Sequence, residues 1–294
     1  MDRQREGELL IVASALLWGL FPVITVLSIS SLSPLLALSL SNAIAALFFA
    51  VILSFRGKWR ELGNHHALPS IVAATFCNGI AYYVLVFWGL RFTSAGNASI
   101  LALTEIFFSF LFFHVWRKEY ISGITIWGMV CMVAAALIVL YPNRAALNIG
   151  DVFILIASAI APVGNLFQQK ARKFVSSEAT IFIRSLLTAT VLLCWTLAMG
   201  NPILWVLVSV SLPILLINGI VLFGIEKMLW IESIHRISVT KANAFHSLSP
   251  LVTLLLAAIV LHAQPTLWQL LSVIPMFLGV VLLGSSSKDS SVVS

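Results

Sequence analysis

Long apolar runs, joined by short polar segments, make up almost the whole chain. Ten of these runs hold about 20 predominantly apolar residues, the length that an α-helix needs to cross the hydrocarbon core of a bilayer. We therefore predict an all-α integral membrane protein with ten transmembrane helices. The predicted spans are residues 9–28, 33–55, 68–90, 95–116, 121–141, 149–170, 178–199, 211–234, 238–262 and 266–284.

The boundaries of the eighth span depend on how its charged residues are treated. A plain hydropathy window favours residues 203–225 and would leave Glu226 and Lys227 in a loop. An internal comparison of the two halves of the chain favours a later span, because it places both residues inside a helix. The aligned pairs are residues 81–90 with 226–235, Arg91 with Arg236, and Leu103-Thr104-Glu105 with Leu248-Ser249-Pro250.

The same comparison divides the chain into two five-helix halves, residues 1–146 and 147–294. Ala13-Ser14-Ala15 recurs as Ala157-Ser158-Ala159 at a similar offset in the sixth span. Because five is an odd number, the second half must enter the membrane upside down, which is the inverted-repeat arrangement of many secondary transporters. The tripeptides Asn78-Gly79-Ile80 and Asn218-Gly219-Ile220 fall out of this register, and we interpret that match as chance.

Lysine and arginine residues crowd into every second connection. With the N terminus in the cytoplasm, twelve of the 17 basic residues lie on the cytoplasmic side, two lie on the opposite side and three lie inside spans. The positive-inside rule therefore predicts a multi-pass protein of the inner membrane with both termini in the cytoplasm. The formal net charge of +6 reflects this topology rather than nucleic-acid binding, because the basic residues are scattered between apolar spans.

Composition excludes an ordinary soluble domain, since 60% of the residues are hydrophobic and only 10% are charged. The three cysteines fall inside apolar segments with no paired spacing, so the sequence predicts neither a disulfide nor a metal site. The chain contains no His-Glu-x-x-His, Gly-x-Ser-x-Gly or phosphate-loop motif. No cofactor is expected, and ATP hydrolysis on this chain is not expected either.

Several short motifs resemble those of the bacterial drug/metabolite transporters that are built from two EamA-type repeats. The motifs are Trp18-Gly19, the loop Gly89-Leu90-Arg91-Phe92-Thr93-Ser94-Ala95-Gly96-Asn97-Ala98, Glu119 nine residues before Gly128, and, in the second half, Ser249-Pro250, Gln264 and Gly279. The resemblance covers nearly the full chain. It implies a central cavity lined by the first four helices of each half, with the fifth and tenth helices peripheral. It also implies proton-coupled or exchange transport of small metabolites, often amino acids.

Glu105 is a departure from the family pattern, which often has proline at this position, as Pro250 does in the second half. It lies ten residues into the fourth span, about 15 Å at 1.5 Å per residue and so near the middle of the bilayer. A carboxylate at that depth is unfavourable by roughly 2.5–3.5 kcal/mol unless it faces a cavity or a partner. We predict that Glu105, on one stripe with Asn97, carries a proton or accepts a substrate amine. A structural salt bridge or a hydrogen-bonded neutral acid is the alternative.

The ninth span carries a polar stripe that includes Asn243 and His246. His246 is a second candidate proton carrier, because imidazole titrates near neutral pH. A hydrogen bond between helices is the alternative for this residue.

The eighth span contains adjacent charges. Because neighbouring side chains on a helix point about 100° apart, we expect Glu226 and Lys227 to have partners other than each other. Asn218, Glu226 and Trp230 form one stripe, which would place a carboxylate between an amide and an aromatic ring in the cavity. If the span is displaced, both charges lie at the cytoplasmic edge instead.

Four further helices supply polar or aromatic candidates for the same pathway. Arg184, in the seventh helix, could contact an anion, pair with Glu226 or extend its stem to the interface. Pro162 predicts a kink in the sixth helix. Aromatic rings could stack on a cationic substrate, although apolar packing is their commoner use. The remaining candidates are Asn165 and Gln169 in the sixth helix, Asn78 and Tyr82 in the third, and Trp18 in the first.

The sequence thus predicts a secondary active transporter that moves a small polar metabolite by alternating access. Because carboxylates and cations are both candidates near the cavity, a zwitterion such as an amino acid is the expected substrate, and export is the expected direction. A cationic amine or drug transporter of the same fold is the alternative. An intramembrane enzyme and a channel are more distant alternatives, and both a monomer and a homodimer remain open.

Overall fold

The computed structural model describes residues 3–117, 123–141, 148–200, 203–237, 242 and 245–286. Over these residues the chain is helical and contains no strand, which confirms the predicted fold class. Eight helices are long and apolar enough to span a membrane, and two shorter apolar helical stretches are Ser249–Val260 and Leu267–Leu282, which form α9 and the first part of α10. The helices are α1 (Arg3–Ile29), α2 (Pro34–Arg56), α3 (Leu68–Gly89), α4 (Ala95–Ala102 and Thr104–Arg117), α5 (Gly123–Leu140), α6 (Ile149–Ala171), α7 (Ser177–Ala198), α8 (Trp205–Ile234), α9 (Ser249–Val260) and α10 (Leu267–Ser286).

Polar caps set where several of these helices begin. Ser33, Ser94, Asn148 and Ser176 each accept a hydrogen bond from a backbone N–H in the first turn of the following helix. Such caps satisfy donors that have no partner inside a helix. At the other end of α2, Gly57 adopts a φ of 64°, the left-handed conformation that commonly stops a helix.

The eighth helix is longer than either sequence window. It begins at Trp205 and continues to Ile234, so it includes the early apolar run and also Glu226 and Lys227. The prediction that both charges lie inside the helix is therefore confirmed, whereas its predicted start at residue 211 is wrong.

The helices pack as two related halves. α1 lies against α8 and α9, and α6 lies against the corresponding helices α3 and α4. α2 packs on α7, and α5 packs on α10. If each helix is replaced by the helix five places later or earlier in the chain, so that α1 becomes α6 and α8 becomes α3, the same set of contacts is obtained. This exchange fits the two-repeat architecture, while the division between residues 146 and 147 stays a prediction.

The fourth helix is interrupted at Leu103, where the amide donates to Ile100 O at 3.1 Å and the carbonyl accepts from Ile106 N at 3.0 Å. The chain before α9 shows the same pattern at Leu248, with hydrogen bonds to Phe245 O and from Leu251 N, both 3.2 Å. These bonds bridge three residues rather than the four of an α-helix. The two interruptions lie at the positions that the internal comparison aligned, although the predicted continuous ninth helix is wrong at Leu248.

The third and eighth helices each contain a π-helical segment, Thr75–Ala81 in α3 and Ile217–Ile225 in α8. Tyr82 N donates to Cys77 O, and Glu226 N donates to Val221 O, five residues back in both cases. The two Asn-Gly-Ile tripeptides lie in these segments, so the structure does not support the interpretation of their match as chance.

The glycines of these tripeptides lie at equivalent close crossings. A Cβ on Gly79 would be 2.4 Å from Thr188 Oγ1 of α7, and a Cβ on Gly219 would be 2.7 Å from Ser41 O of α2. A Cβ at either position would force the neighbouring helix to shift, the Thr188 side chain at Gly79 and the α2 backbone at Gly219, so the two glycines permit these close crossings.

Ion pairs tie helix ends together at the face of the bundle where α1 begins, here called the N-terminal face. Glu232 Oε1 accepts from Arg172 Nη2 at 3.0 Å and from Ser177 Oγ at 2.6 Å. Glu232 Oε2 accepts from Arg236 Nη1 at 2.6 Å, and Arg236 Nε is 3.4 Å from Glu6 Oε2. The network therefore joins the ends of α1, α6, α7 and α8.

Candidate functional site

A cavity of about 690 Å³, including its open mouth, lies where six helices and one further segment of the described chain meet. The helices are α1, α3, α4, α6, α7 and α8, together with the segment that precedes α9. Among the described residues α2 lines no part of it, so the implied lining by the first four helices of each half is wrong for α2. The lining residues are Trp18, Asn78, Tyr82, Tyr83, Ala102, Leu103, Glu105, Ile106, Ala161, Asn165, Gln168, Arg184, Lys227, Trp230 and His246.

Glu226 and Lys227 form an ion pair at the edge of this cavity, with Lys227 Nζ 2.9 Å from Glu226 Oε2. The expectation that these neighbours do not pair is wrong, because the four-carbon stem of lysine lets its ammonium swing back to the carboxylate. The same ammonium lies 3.6 Å from the ring centroid of Trp18. Glu226 is fully buried, accepts from Ser14 Oγ at 2.8 Å and lies 3.8 Å from His246 Nε2.

Three side-chain amides connect to Glu105. Asn165 Nδ2 donates to Glu105 Oε1 at 2.7 Å, and Asn165 Oδ1 accepts from Asn78 Nδ2 at 2.9 Å and from Gln168 Nε2 at 3.5 Å. Gln168 Oε1 accepts from Arg184 Nη1 at 3.2 Å. A single hydrogen-bonded chain therefore runs along α6 from the guanidinium on α7 to the carboxylate on α4.

The aromatic rings of α1, α3 and α8 form a layer next to the cavity. Trp18 stacks on Phe21 with ring centroids 4.5 Å apart, and Phe21 makes an edge contact with Phe223 at 5.9 Å. Beyond this layer lies a second, mostly apolar cavity of about 340 Å³, and Trp18 and Tyr82 line both. These two rings therefore stand between a charged compartment and an apolar one.

The sequence profile of the EamA-like transporter family matches residues 5–141 and 148–285. This chain belongs to the EamA-like transporter family. YoaV of Bacillus subtilis strain 168, described as an uncharacterized transporter, is 23% identical over 275 residues, which cover 87% of this chain and 89% of the relative. An uncharacterized transporter of Archaeoglobus fulgidus is 27% identical over 146 residues, 49% of this chain and 50% of that protein.

A solved crystal structure of another protein shares the fold of this EamA-like transporter. It matches with a TM-score of 0.71 at 18% identity and covers 95% of this chain and 97% of that chain. The family and the apolar helices together identify a multi-pass membrane protein that acts as a transporter.

The EamA-like transporter brings most of the predicted pathway residues together. Within the described residues no carboxylate lies within 4 Å of Arg184, so its predicted pairing with Glu226 is wrong. Its side chain is only 2% exposed, which also excludes an extension to the interface. The predicted residues that line the cavity are Trp18, Asn78, Tyr82, Glu105, Asn165, Arg184, Lys227, Trp230 and His246, and Glu226 is bound behind Lys227.

Three predicted residues lie elsewhere. Asn97 accepts from Gln269 Nε2 of α10 at 2.7 Å, because the interruption at Leu103 separates its turn from that of Glu105. Gln169 is half-buried but does not line the cavity, since the lining stripe of α6 is displaced by one residue and ends at Gln168. Asn218 is fully buried inside the π-helical segment, which shifts its phase relative to Glu226. Asn243 and Glu119 lie outside the described residues.

Sequence reasoning missed Ser14, Tyr83 and Gln168. Ser14 was visible within the repeated Ala-Ser-Ala stretch, but nothing indicated that it donates to a carboxylate 212 residues away. Tyr83 follows Tyr82 and also lines the cavity, because the cavity wraps around this part of α3. Gln168 lies three residues after Asn165, a helical spacing that would identify it once the inward phase of α6 is known.

Proposed function

We propose that this EamA-like transporter is a secondary active carrier that exports a small zwitterionic metabolite, such as an amino acid, across the inner membrane, with both termini in the cytoplasm. The observation that carries the proposal is the presence of both Glu105 and Arg184 on the wall of one cavity within an apolar bundle. A ligand with an ammonium and a carboxylate group can pair with both ends. A ligand without charge would leave both side chains desolvated and unpaired.

The interruptions in paired helices support alternating access. Leu103 and Leu248 interrupt equivalent helices beside the cavity, and π-helical segments occur in α3 and α8. Discontinuous helices next to a central site are typical of secondary transporters whose two repeats rock against each other. In this proposal the interruptions are the points at which each half bends.

Glu105 supports coupling to protons. It lies two residues after the interruption of α4 at Leu103, lines the cavity and accepts a hydrogen bond from a neutral amide rather than from a cation. A carboxyl group in that position can exist in both protonation states without breaking an ion pair. His246, which lines the same cavity, is the second proposed proton carrier.

The test is transport in proteoliposomes with an imposed pH gradient, using an amino acid selected by its thermal stabilisation of the purified protein. Wild type should accumulate the labelled amino acid against its gradient. Glu105→Gln should lose this accumulation because the amide cannot release a proton. It should catalyse exchange of labelled for unlabelled substrate only at raised substrate concentration, because an amide binds an ammonium group less tightly than a carboxylate does. Glu6→Gln, at the N-terminal face, serves as the control. Full gradient-driven accumulation by Glu105→Gln would rule out Glu105 as the proton carrier.

A cationic amine is the second candidate substrate. It is favoured by the aromatic rings of Trp18, Tyr82 and Trp230, which line the same cavity as Glu105. Competition of a labelled amino acid by tetramethylammonium separates the two candidates. Uptake of labelled tetramethylammonium by proteoliposomes that take up no labelled amino acid would favour the second candidate.

A further inference from the structure

Arg184 is a buried cation on the cavity wall without an ionic partner among the described residues. Its Nη1 donates to a neutral acceptor, Gln168 Oε1, and its Nη2 has no hydrogen-bond partner in the described protein. The side chain is 2% exposed. Placing a guanidinium in such surroundings is strongly unfavourable unless a counter-charge is supplied. The described residues therefore leave the guanidinium of Arg184 without a counter-charge.

The carboxylates near Arg184 are engaged elsewhere. Glu226 pairs with Lys227 and accepts from Ser14. Glu105 accepts from Asn165, and three hydrogen bonds in series, through Asn165 and Gln168, separate it from the guanidinium. The anion that completes Arg184 must therefore come from outside the described protein.

We propose that Arg184 binds the carboxylate group of the transported molecule. This inference rests on the function proposed above and names the receptor for the anionic end of the substrate. Arginine suits this role because its planar N–H groups match the two oxygens of a carboxylate. A dianionic phosphate is disfavoured, because Glu105 lines the same cavity and Glu226 lies behind it.

The ammonium end of the substrate binds at Glu105. The other carboxylate, Glu226, together with the Trp18 ring, already holds the ammonium of Lys227 at 2.9 Å and 3.6 Å. A second ammonium would have to displace this tethered one. Asn165 and Gln168 are then positioning residues, since their hydrogen bonds to Glu105 and Arg184 fix the separation of the two receptors along α6.

The experiment measures binding by thermal unfolding of the purified full chain in detergent. The probes are the twenty common L-amino acids, the corresponding amino-acid amides, in which a neutral carboxamide replaces the carboxylate, and the corresponding 2-hydroxy acids. In wild type at least one amino acid should bind more tightly than its amide. Arg184→Gln should weaken binding of that amino acid by about 10- to 100-fold, the range of a charge-assisted hydrogen bond, and leave binding of the amide unchanged.

Two variants accompany the main one. Arg184→Lys keeps the charge but loses the planar pair of donors, so it should retain part of the preference for the amino acid. Lys170→Gln removes the same charge from an exposed position on α6, and it should keep the full wild-type preference. If Arg184→Gln does not fold, the test rests on the ratio of the Kd of the amide to the Kd of the amino acid, measured in wild type and in Arg184→Lys. If this ratio is the same in Arg184→Lys as in wild type, the proposal is overturned.

The outcomes separate this inference from the proposed function. An amide that binds wild type as tightly as its amino acid overturns the assignment of Arg184, as does a preference that survives Arg184→Gln. A 2-hydroxy acid that binds as tightly as the amino acid, with both weakened in Arg184→Gln, overturns the zwitterionic substrate and leaves Arg184 as the carboxylate receptor. Stabilisation by none of the carboxylates overturns both.

Discussion

Replacing Lys227 with methionine removes the cation from a fully buried carboxylate. Glu226 then loses a partner at 2.9 Å while Ser14 still donates to it at 2.8 Å. Breaking one side of a buried ion pair costs about 3–5 kcal/mol, and the lost contact with Trp18 adds about 0.5–2 kcal/mol. Since Ser14 retains part of the stabilisation, we expect a loss of about 3–5 kcal/mol in the free energy of unfolding.

The assay is thermal unfolding in detergent, where a loss of this size lowers Tm by about 6–20 °C. The double variant Glu226→Gln/Lys227→Met removes both charges of the pair, and it should recover most of the loss because neither charge is left without the other. Lowering the pH should also reduce the difference in Tm between Lys227→Met and wild type, because protonated His246 supplies a replacement cation 3.8 Å from Glu226. A single variant as stable as wild type, or a double variant no better than the single, would refute this account.

Two further substitutions test contacts around the cavity. A Cβ on Gly164 would lie 2.2 Å from Asn78 Oδ1, so Gly164→Ala should displace that amide from Asn165 and lower the unfolding free energy by about 1–3 kcal/mol. Adding Asn78→Ala should relieve the clash, so the double variant should lose less unfolding free energy than the two single variants together. Additive losses would contradict a contact between residues 164 and 78. Glu232→Ala should destabilise the protein by about 1.5–3 kcal/mol, because three donors lose their acceptor. Glu6→Ala, which removes a half-exposed pair, should change stability by less than about 1 kcal/mol, and equal losses in the two variants would argue against a central role for Glu232.

The fold was largely predictable because crossing a bilayer imposes a length and a composition on each helix. Apolar runs alone located the helices, and the internal comparison kept Glu226 inside α8, where hydropathy alone would have excluded it. The same comparison aligned Leu103 with Leu248, yet it could not reveal that both interrupt their helices. An interruption of one or two residues changes the hydrogen bonds of the backbone without changing the apolar pattern.

The candidate site was predictable where depth and charge carry the signal. Glu105 and Arg184 stood out because ionisable groups are costly in a bilayer. Errors arose where the helical phase departs from 3.6 residues per turn, as at Asn218, or where the inward face could not be known, as at Gln169. The pairing of Glu226 with Lys227 was missed because a rule for side-chain directions does not account for the reach of a flexible lysine stem.

The π-helical segments of α3 and α8 also affect how each helix can accommodate the insertion or deletion of a residue. A π turn holds one residue more than an α turn, so a residue can be gained or lost there while the helix on either side keeps its orientation. Tyr82 and Glu226 each begin the stretch that follows such a segment. An insertion or deletion in the preceding stretch can therefore be absorbed before it turns the residues at the cavity. The Asn-Gly-Ile tripeptides are offset by 140 residues and the Arg91–Arg236 pair by 145, so no single offset between the two halves matches both.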